Sequence, residues 1–164
     1  MIVSDDYPGG KRAMIEKTRP SWDEYFLDIA QLVAKRSTCL RRHYGAVIVK
    51  DNIIVSTGYN GAARGEPNCI DTGKCVRKEH NVPKGERYEL CVAVHAEMNA
   101  IIAGDPVKMH GSTIYVSGYT HEGKQASGEP CLLCRRIIKN AMIKRVVFLD
   151  EHATKRNIRF GGSE

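Results

Sequence analysis

The chain has 164 residues, enough for one domain with an ordinary hydrophobic core. With 42% hydrophobic and 27% charged residues it has the composition of a soluble globular protein, and no apolar stretch approaches transmembrane length. A net charge of +6 reads as a solvated basic surface or as attraction for a phosphorylated substrate, and it does not separate a nucleotide from a nucleic acid.

The first twenty residues are polar, carry Pro8, Gly9, Gly10 and Pro20, and hold no apolar run of the signal-peptide kind. Residues 1–19 therefore read as a flexible extension ahead of a domain over 20–164, in a cytoplasmic protein. In that compartment six cysteines read as metal ligands or free thiols, not as a disulfide framework.

Ser21-Trp-Asp-Glu24 has the form of a capping box. Behind it Tyr25, Phe26, Ile29, Leu32 and Val33 recur at helical spacing, which predicts a helix to about Ser37. Residues 44–50 and 53–58 are β-branched runs parted by Asp51-Asn52, a hairpin pattern. From Tyr59 to Leu90 periodicity disappears among Gly, Pro, Asn and charged residues, and a loop of that length needs a function or a tie. His95 to Ala103 predicts a helix ended by Gly104-Asp-Pro106, and residues 112–116 a strand. Pro130 fits the first turn of a further helix reaching about Asn140, followed by a strand over 145–149. Helices alternating with apolar strands predict a layered α/β domain.

His95, Cys131 and Cys134 carry the chemistry. One imidazole and two thiolates make a three-ligand set for zinc and leave the fourth tetrahedral position for water, as catalytic zinc sites do. Cys131 and Cys134 in the first turn of a helix share a face, where the dipole favours thiolate. Two thiolates cancel the charge of the ion, so water activation needs help. Glu97, two residues past His95, can take the water proton without ligating the metal.

His-x-Glu followed by Pro-Cys-x-x-Cys is the signature of the zinc nucleobase deaminases. Over residues 21–149 the chain resembles the deoxycytidylate (dCMP) deaminase branch of the cytidine deaminase superfamily. The segments that carry the likeness are Arg36 to Arg42, Gly45 to Val49, Gly58-Tyr-Asn-Gly61, His95 to Ile101 and Pro130 to Cys134. The resemblance implies a three-layer fold with a five-stranded mixed sheet flanked by helices. It also implies hydrolytic conversion of dCMP to dUMP and ammonia, with Glu97 as the catalytic carboxylate, and a homo-oligomer, commonly a hexamer. Substrate contact falls to Asn60 and Ala96, and a segment of Gly58, Tyr59 and Gly61 to regulation by dCTP with Mg²⁺; the residues themselves read equally as a turn.

Cys39, Cys69, Cys75 and Cys91 lie outside the catalytic set. They read as a second, structural zinc site tying down the 59–90 loop, or as four separate thiols. Tyr119 to Gly128 is extra relative to many relatives and reads as a lid or hairpin, with His121 a possible substrate contact. A phosphate-binding Arg that some relatives place beyond the His-Ala-Glu helix is replaced by Asp105-Pro106. Phosphate recognition then falls to Arg41, Arg42, Arg64 or Lys124, or the substrate is another cytosine nucleotide, nucleoside or ring. Arg135 or Arg136 is placed to donate to the sulfurs, or simply faces solvent. Aromatic residues form only 7% of the chain and no aromatic-interleaved basic stripe occurs, which disfavours a nucleic-acid substrate.

Overall fold

The computed structural model describes residues 19–83 and 85–161, so the extension expected over residues 1–19 lies outside the described residues apart from Arg19. Helix α1 runs Trp22–Ala34 and opens with the expected capping box. Glu24 accepts the Ser21 backbone N–H at 2.8 Å and the Ser21 hydroxyl accepts the Glu24 N–H at 3.3 Å. Strands β1 (Arg42–Lys50) and β2 (Ile53–Tyr59) pair antiparallel. Their turn, Asp51 and Asn52, has φ of 50° and 62°, the left-handed pair whose twist suits a two-residue hairpin.

The aperiodic stretch after β2 is folded as short pieces. Strand β3 (Gly61–Ala62) pairs with β4 (Ala93–Val94), and between them lie α2 (Cys69–Thr72), α3 (Val76–Glu79) and a 3-10 turn at Tyr88–Leu90. Elements this short leave no hydrophobic period to read. Helix α4 (Ala96–Ala103) and the single-turn α5 (Pro106–Met109) follow, then β5 (Thr113–Thr120), α6 (Leu132–Asn140), β6 (Arg145–Leu149) and β7 (Lys155–Arg159).

The sheet order is β2-β1-β5-β6-β7, with β5 and β6 parallel and every other neighbour antiparallel. This is the expected five-stranded mixed sheet in a three-layer α/β domain. Alternation along each central strand sends side chains to opposite faces. Ala46, Ile48, Ile114, Val116, Val146 and Phe148 pack under α4 and α6, against Ala96, Ala100, Cys134 and Ile138. Val47, Val49, Tyr115 and Val147 pack under α1, against Phe26, Leu27 and Ala30. Two polar clamps fix the helices to the sheet. Tyr115 and Arg145 both donate to Asp23 on α1, Arg145 with both terminal nitrogens at 3.0 and 2.6 Å. On the other face the Ser56 hydroxyl donates to the Ala100 carbonyl at 2.7 Å, and Asn99 Nδ2 to the Tyr59 carbonyl at 2.8 Å.

Gly58 explains how closely α4 sits. A Cβ there would lie 2.2 Å from the Ala100 nitrogen and 2.4 Å from the Ala96 carbonyl oxygen. Helix backbone meets strand backbone directly, and only glycine allows that approach.

Candidate active site

Two helix N-termini meet over the sheet. His95 is the residue that caps α4 and Cys131 the one that caps α6, with Cys134 three positions on. The sequence places Cys131 and Cys134 in the first turn of their helix and His95 at the start of its own. Cys134 is the third residue of α6, and Cys131 stands one step earlier, at the cap, because Pro130 precedes the helix instead of opening it. The Sγ atoms of Cys131 and Cys134 lie 3.6 and 3.3 Å from His95 Nδ1. Among the described residues these three bring their ligand atoms within 4.8 Å of one another. That spacing suits one tetrahedral zinc ion with N and S donors and a fourth position facing the cavity.

Local electrostatics favour thiolate at Cys131. The Cys134 backbone N–H donates to Cys131 Sγ at 3.5 Å, and the hydrogen bond from the Cys134 thiol, then His95, holds the Cys131 thiol down to about 4. Cys134 is pushed up, first by that same partner and then by burial. One proton is thus shared unevenly between two sulfurs, and a cation at the site would displace it. Glu97, at the second position of α4, is buried at 7% exposure. Burial pushes its carboxyl up, while its own backbone N–H and then His95 pull it back.

The site opens into a cavity of about 650 Å³ that also touches Ala96 and Asn60. Asn60 is buried, and its side chain is engaged with β1: Oδ1 accepts the Tyr44 N–H at 2.7 Å and Nδ2 donates to the Arg42 carbonyl at 3.0 Å. One Nδ2 hydrogen remains for a ligand. Gly58 and Gly61 are packing positions, Gly58 against α4 and Gly61 against the Thr38 hydroxyl, and the Tyr59 carbonyl is held by Asn99.

Cys39, Cys69, Cys75 and Cys91 all line the same cavity. Burial, then the charges of the other three, raises the Cys69 thiol, so the four are neighbours. No three of them bring their sulfurs within 4.8 Å of one another. Of the basic residues considered for phosphate, Arg41 and Arg42 line the cavity and Arg64 and Lys124 do not. Arg135 turns away from the sulfurs, donating to the Pro130 carbonyl at 3.1 Å and pairing with Glu129; Arg136 lines the cavity. The extra segment 119–128 is a hairpin turn in which Tyr119 bridges Gln125 and Ala126 N–H donates to the Gly118 carbonyl. His121 stacks toward His43 outside the cavity, while Ser127 and Gly128 border it.

Two cavity residues had no signal in the sequence. Tyr88 meets the His95 ring edge-on at 5.2 Å, and the Arg77 guanidinium lies 4.8 Å over the Tyr88 ring. Both come from an aperiodic, charge-rich stretch, and only tertiary folding brings them to His95.

Residues 20–150 match the family model described as the cytidine and deoxycytidylate deaminase zinc-binding region. The chain is 42% identical over 139 residues to a deoxycytidylate deaminase of Mycobacterium phage D29, spanning 82% of this chain and 98% of that protein. It is 37% identical to a deoxycytidylate deaminase of Schizosaccharomyces pombe over 82% of this chain but only 40% of the longer relative. Among solved structures, the dCMP deaminase of cyanophage S-TIM5 in complex with dCMP and dUMP is 26% identical, with a TM-score of 0.51 over 79% of this chain and 81% of that one.

Proposed function

The chain belongs to the cytidine and deoxycytidylate deaminase family and is a zinc-dependent hydrolytic deaminase, and we propose that its substrate is dCMP, converted to dUMP and ammonia. The observation that carries this reading is the meeting of His95, Cys131 and Cys134 beside a buried Glu97, in a cavity lined by Arg41, Arg42, Arg77 and Arg136. Guanidinium groups lining a site favour a phosphorylated substrate over a neutral nucleoside. The naming of the phage and yeast relatives and the cyanophage complex with dCMP and dUMP support the same choice.

His95, Cys131 and Cys134 would hold the zinc ion, which when bound would supply Lewis-acid activation of water. The chain's own part is proton management. Glu97 accepts a proton from the attacking water as its oxygen bonds to cytosine C4, and passes it to N3. It then takes the second water proton and delivers it to the C4 amine, and the C4–N bond breaks to release ammonia. A carboxyl raised by burial holds a proton more readily near neutral pH than an exposed one, which suits a group that both accepts and donates. Ala96, fully buried at the cavity wall, offers backbone and shape but no competing polar side chain.

The test is ammonia release from dCMP, dCTP, deoxycytidine and cytidine by zinc-loaded protein. The highest kcat/KM is expected for dCMP; a preference for the nucleosides would overturn the substrate assignment.

Three finer points belong to the same proposal. A second, structural zinc at Cys39, Cys69, Cys75 and Cys91 is supported by their shared cavity wall, and two zinc ions per chain against one decides it. Regulation by dCTP with Mg²⁺ is proposed through the segment of Gly58, Tyr59 and Gly61, whose Asn60 borders the cavity, and a rate indifferent to dCTP ends it. A cytoplasmic homo-oligomer is supported by six free cysteines and by exposed Ile102, Leu132 and Leu133 on α4 and α6, and sedimentation reads the assembly.

A further inference from the structure

Among the described residues Arg77 is the one basic side chain buried from solvent, at 6% exposure. Its guanidinium is anchored on one side only. Nη2 donates to the Pro83 carbonyl at 2.7 Å and the planar group lies over Tyr88. Nη1 is buried and has no acceptor among the described residues, and no carboxylate among them pairs with Arg77. An uncompensated buried cation is strongly unfavourable, so such a group implies an anion supplied from elsewhere.

Its place says which anion. Arg77 lines the cavity that holds His95 and Glu97. The 4.8 Å step from its guanidinium carbon to the Tyr88 ring, with the 5.2 Å step from that ring to His95, brings the carbon to no more than 10 Å from the His95 ring centre. That reach is comparable to the span of a pyrimidine nucleotide from its ring amine to its 5′-phosphate. Arg41, Arg42 and Arg136 border the same cavity against two carboxylates. One of these, Glu97, moves the proton, and the other, Glu129, is already paired with Arg135. The cavity is therefore cationic apart from its chemistry.

We infer that Arg77 anchors the 5′-phosphate of the substrate, its unpaired Nη1 donating to a phosphate oxygen while Pro83 and Tyr88 hold the guanidinium in place. This deepens the dCMP reading and rests on it for the identity of the substrate, but not for the anion site. It fills the role left open by Asp105-Pro106, with a residue from a different part of the chain. A rival source of negative charge is close at hand. Cys75 lies two residues before Arg77, and four thiolates around one zinc would carry a net negative charge that the guanidinium could balance. The experiment separates the two.

Zinc-loaded wild type, Arg77→Gln and Arg77→Lys are compared on dCMP and deoxycytidine, with zinc counted per chain. Inorganic phosphate binding, read by phosphorus NMR line broadening, needs no turnover. The loss of one charge-assisted hydrogen bond in a shielded site predicts that Arg77→Gln lowers kcat/KM for dCMP about 100-fold, chiefly through KM. Deoxycytidine turnover is expected to fall far less than dCMP turnover, zinc content to hold, and phosphate broadening to disappear. Arg77→Lys keeps the charge without the fork and is expected to fall about tenfold on dCMP alone. Equal losses on both substrates, unchanged dCMP kinetics, or a drop in zinc with phosphate binding intact each overturn the inference. If the Gln variant does not fold, the Lys variant applies the same criteria. Wild type that ignores dCMP, yet binds phosphate through Arg77, sinks the substrate reading and leaves the anion site standing. Normal dCMP turnover by Arg77→Gln does the reverse.

Discussion

Gly58→Ala tests whether the catalytic helix is seated where the structure puts it. The added Cβ would stand 2.2 Å from the Ala100 nitrogen and 2.4 Å from the Ala96 carbonyl oxygen, and ordinary contact begins at 3.4 Å. Both obstacles are backbone, so no side chain can swing aside, and α4 must move out by about 1 Å. That shift strains the Ser56-to-Ala100 and Asn99-to-Tyr59 hydrogen bonds, which tie the same helix to β2. Overpacking of this kind costs about 2 kcal/mol, which for a chain of this size lowers Tm by about 6 °C. The effect on turnover is larger in proportion. His95 and Glu97 ride on the displaced end of α4, whereas Cys131 and Cys134 ride on α6. A misplacement of about 1 Å between the groups that act together costs about 100-fold in rate. The assay is ammonia release and thermal melting of zinc-loaded protein, with Gly161→Ala, where a Cβ meets nothing, as the control. A Gly58→Ala protein that melts and turns over like wild type would refute the packing argument.

Glu97→Gln is expected to keep zinc but to lose about 10²- to 10⁴-fold in kcat, the range for removing a general acid–base; metal analysis alongside single-turnover kinetics reads both. Cys131→Ala is expected to lose the metal itself, seen as a drop in bound zinc and not merely in rate. Asp23→Asn should destabilise by about 2 kcal/mol, because it weakens a charge-assisted pair and leaves Arg145 poorly matched. Burial pushes the Asp23 carboxyl up, but hydrogen bonds from Arg145 and Tyr115 outweigh it and hold it below the usual carboxylate range. A depressed folded-state value contributes stability that is present above the unfolded carboxylate value of about 4 and is lost as pH falls through the folded one. The Tm difference between wild type and Asp23→Asn should accordingly shrink below about pH 4; a constant offset down to pH 2 would count against the ion pair.

The catalytic ligands were legible because each pair is local. Cys131 and Cys134 are three residues apart, an interval that puts both on one face of a helix start, while His95 and Glu97 sit side by side at the cap and second position of α4. The central strands were legible because both faces are buried and their residues are β-branched. Strand β7 was not: Lys-Arg-Asn-Ile-Arg shows one apolar residue, Ile158, and is a strand only because β6 offers its edge. The glycines of Gly58-Tyr-Asn-Gly61 also have a packing role that the sequence did not show: in the fold they admit α4 and the Thr38 hydroxyl at distances no side chain permits. Arg77 and Tyr88 were invisible because their relation to His95 is made by the folding of an aperiodic stretch, with no spacing to mark it.

The use of helix ends unites the parts of the site. A thiolate pair and a carboxylate are three negative charges that burial alone would neutralise by protonation. Each stands within the first turn of α4 or α6, or at its cap, where unpaired N–H groups and the positive end of the dipole oppose that tendency. The two effects pull Glu97 in opposite directions: burial raises its carboxyl, and its backbone N–H lowers it. Were Glu97 a turn further along α4 it would keep the burial and lose the N–H, and would hold its proton too firmly to act as a base. At an exposed position it would give its proton up too readily to serve as an acid. The second position of α4 gives one carboxyl both abilities, which the proposed mechanism asks of Glu97.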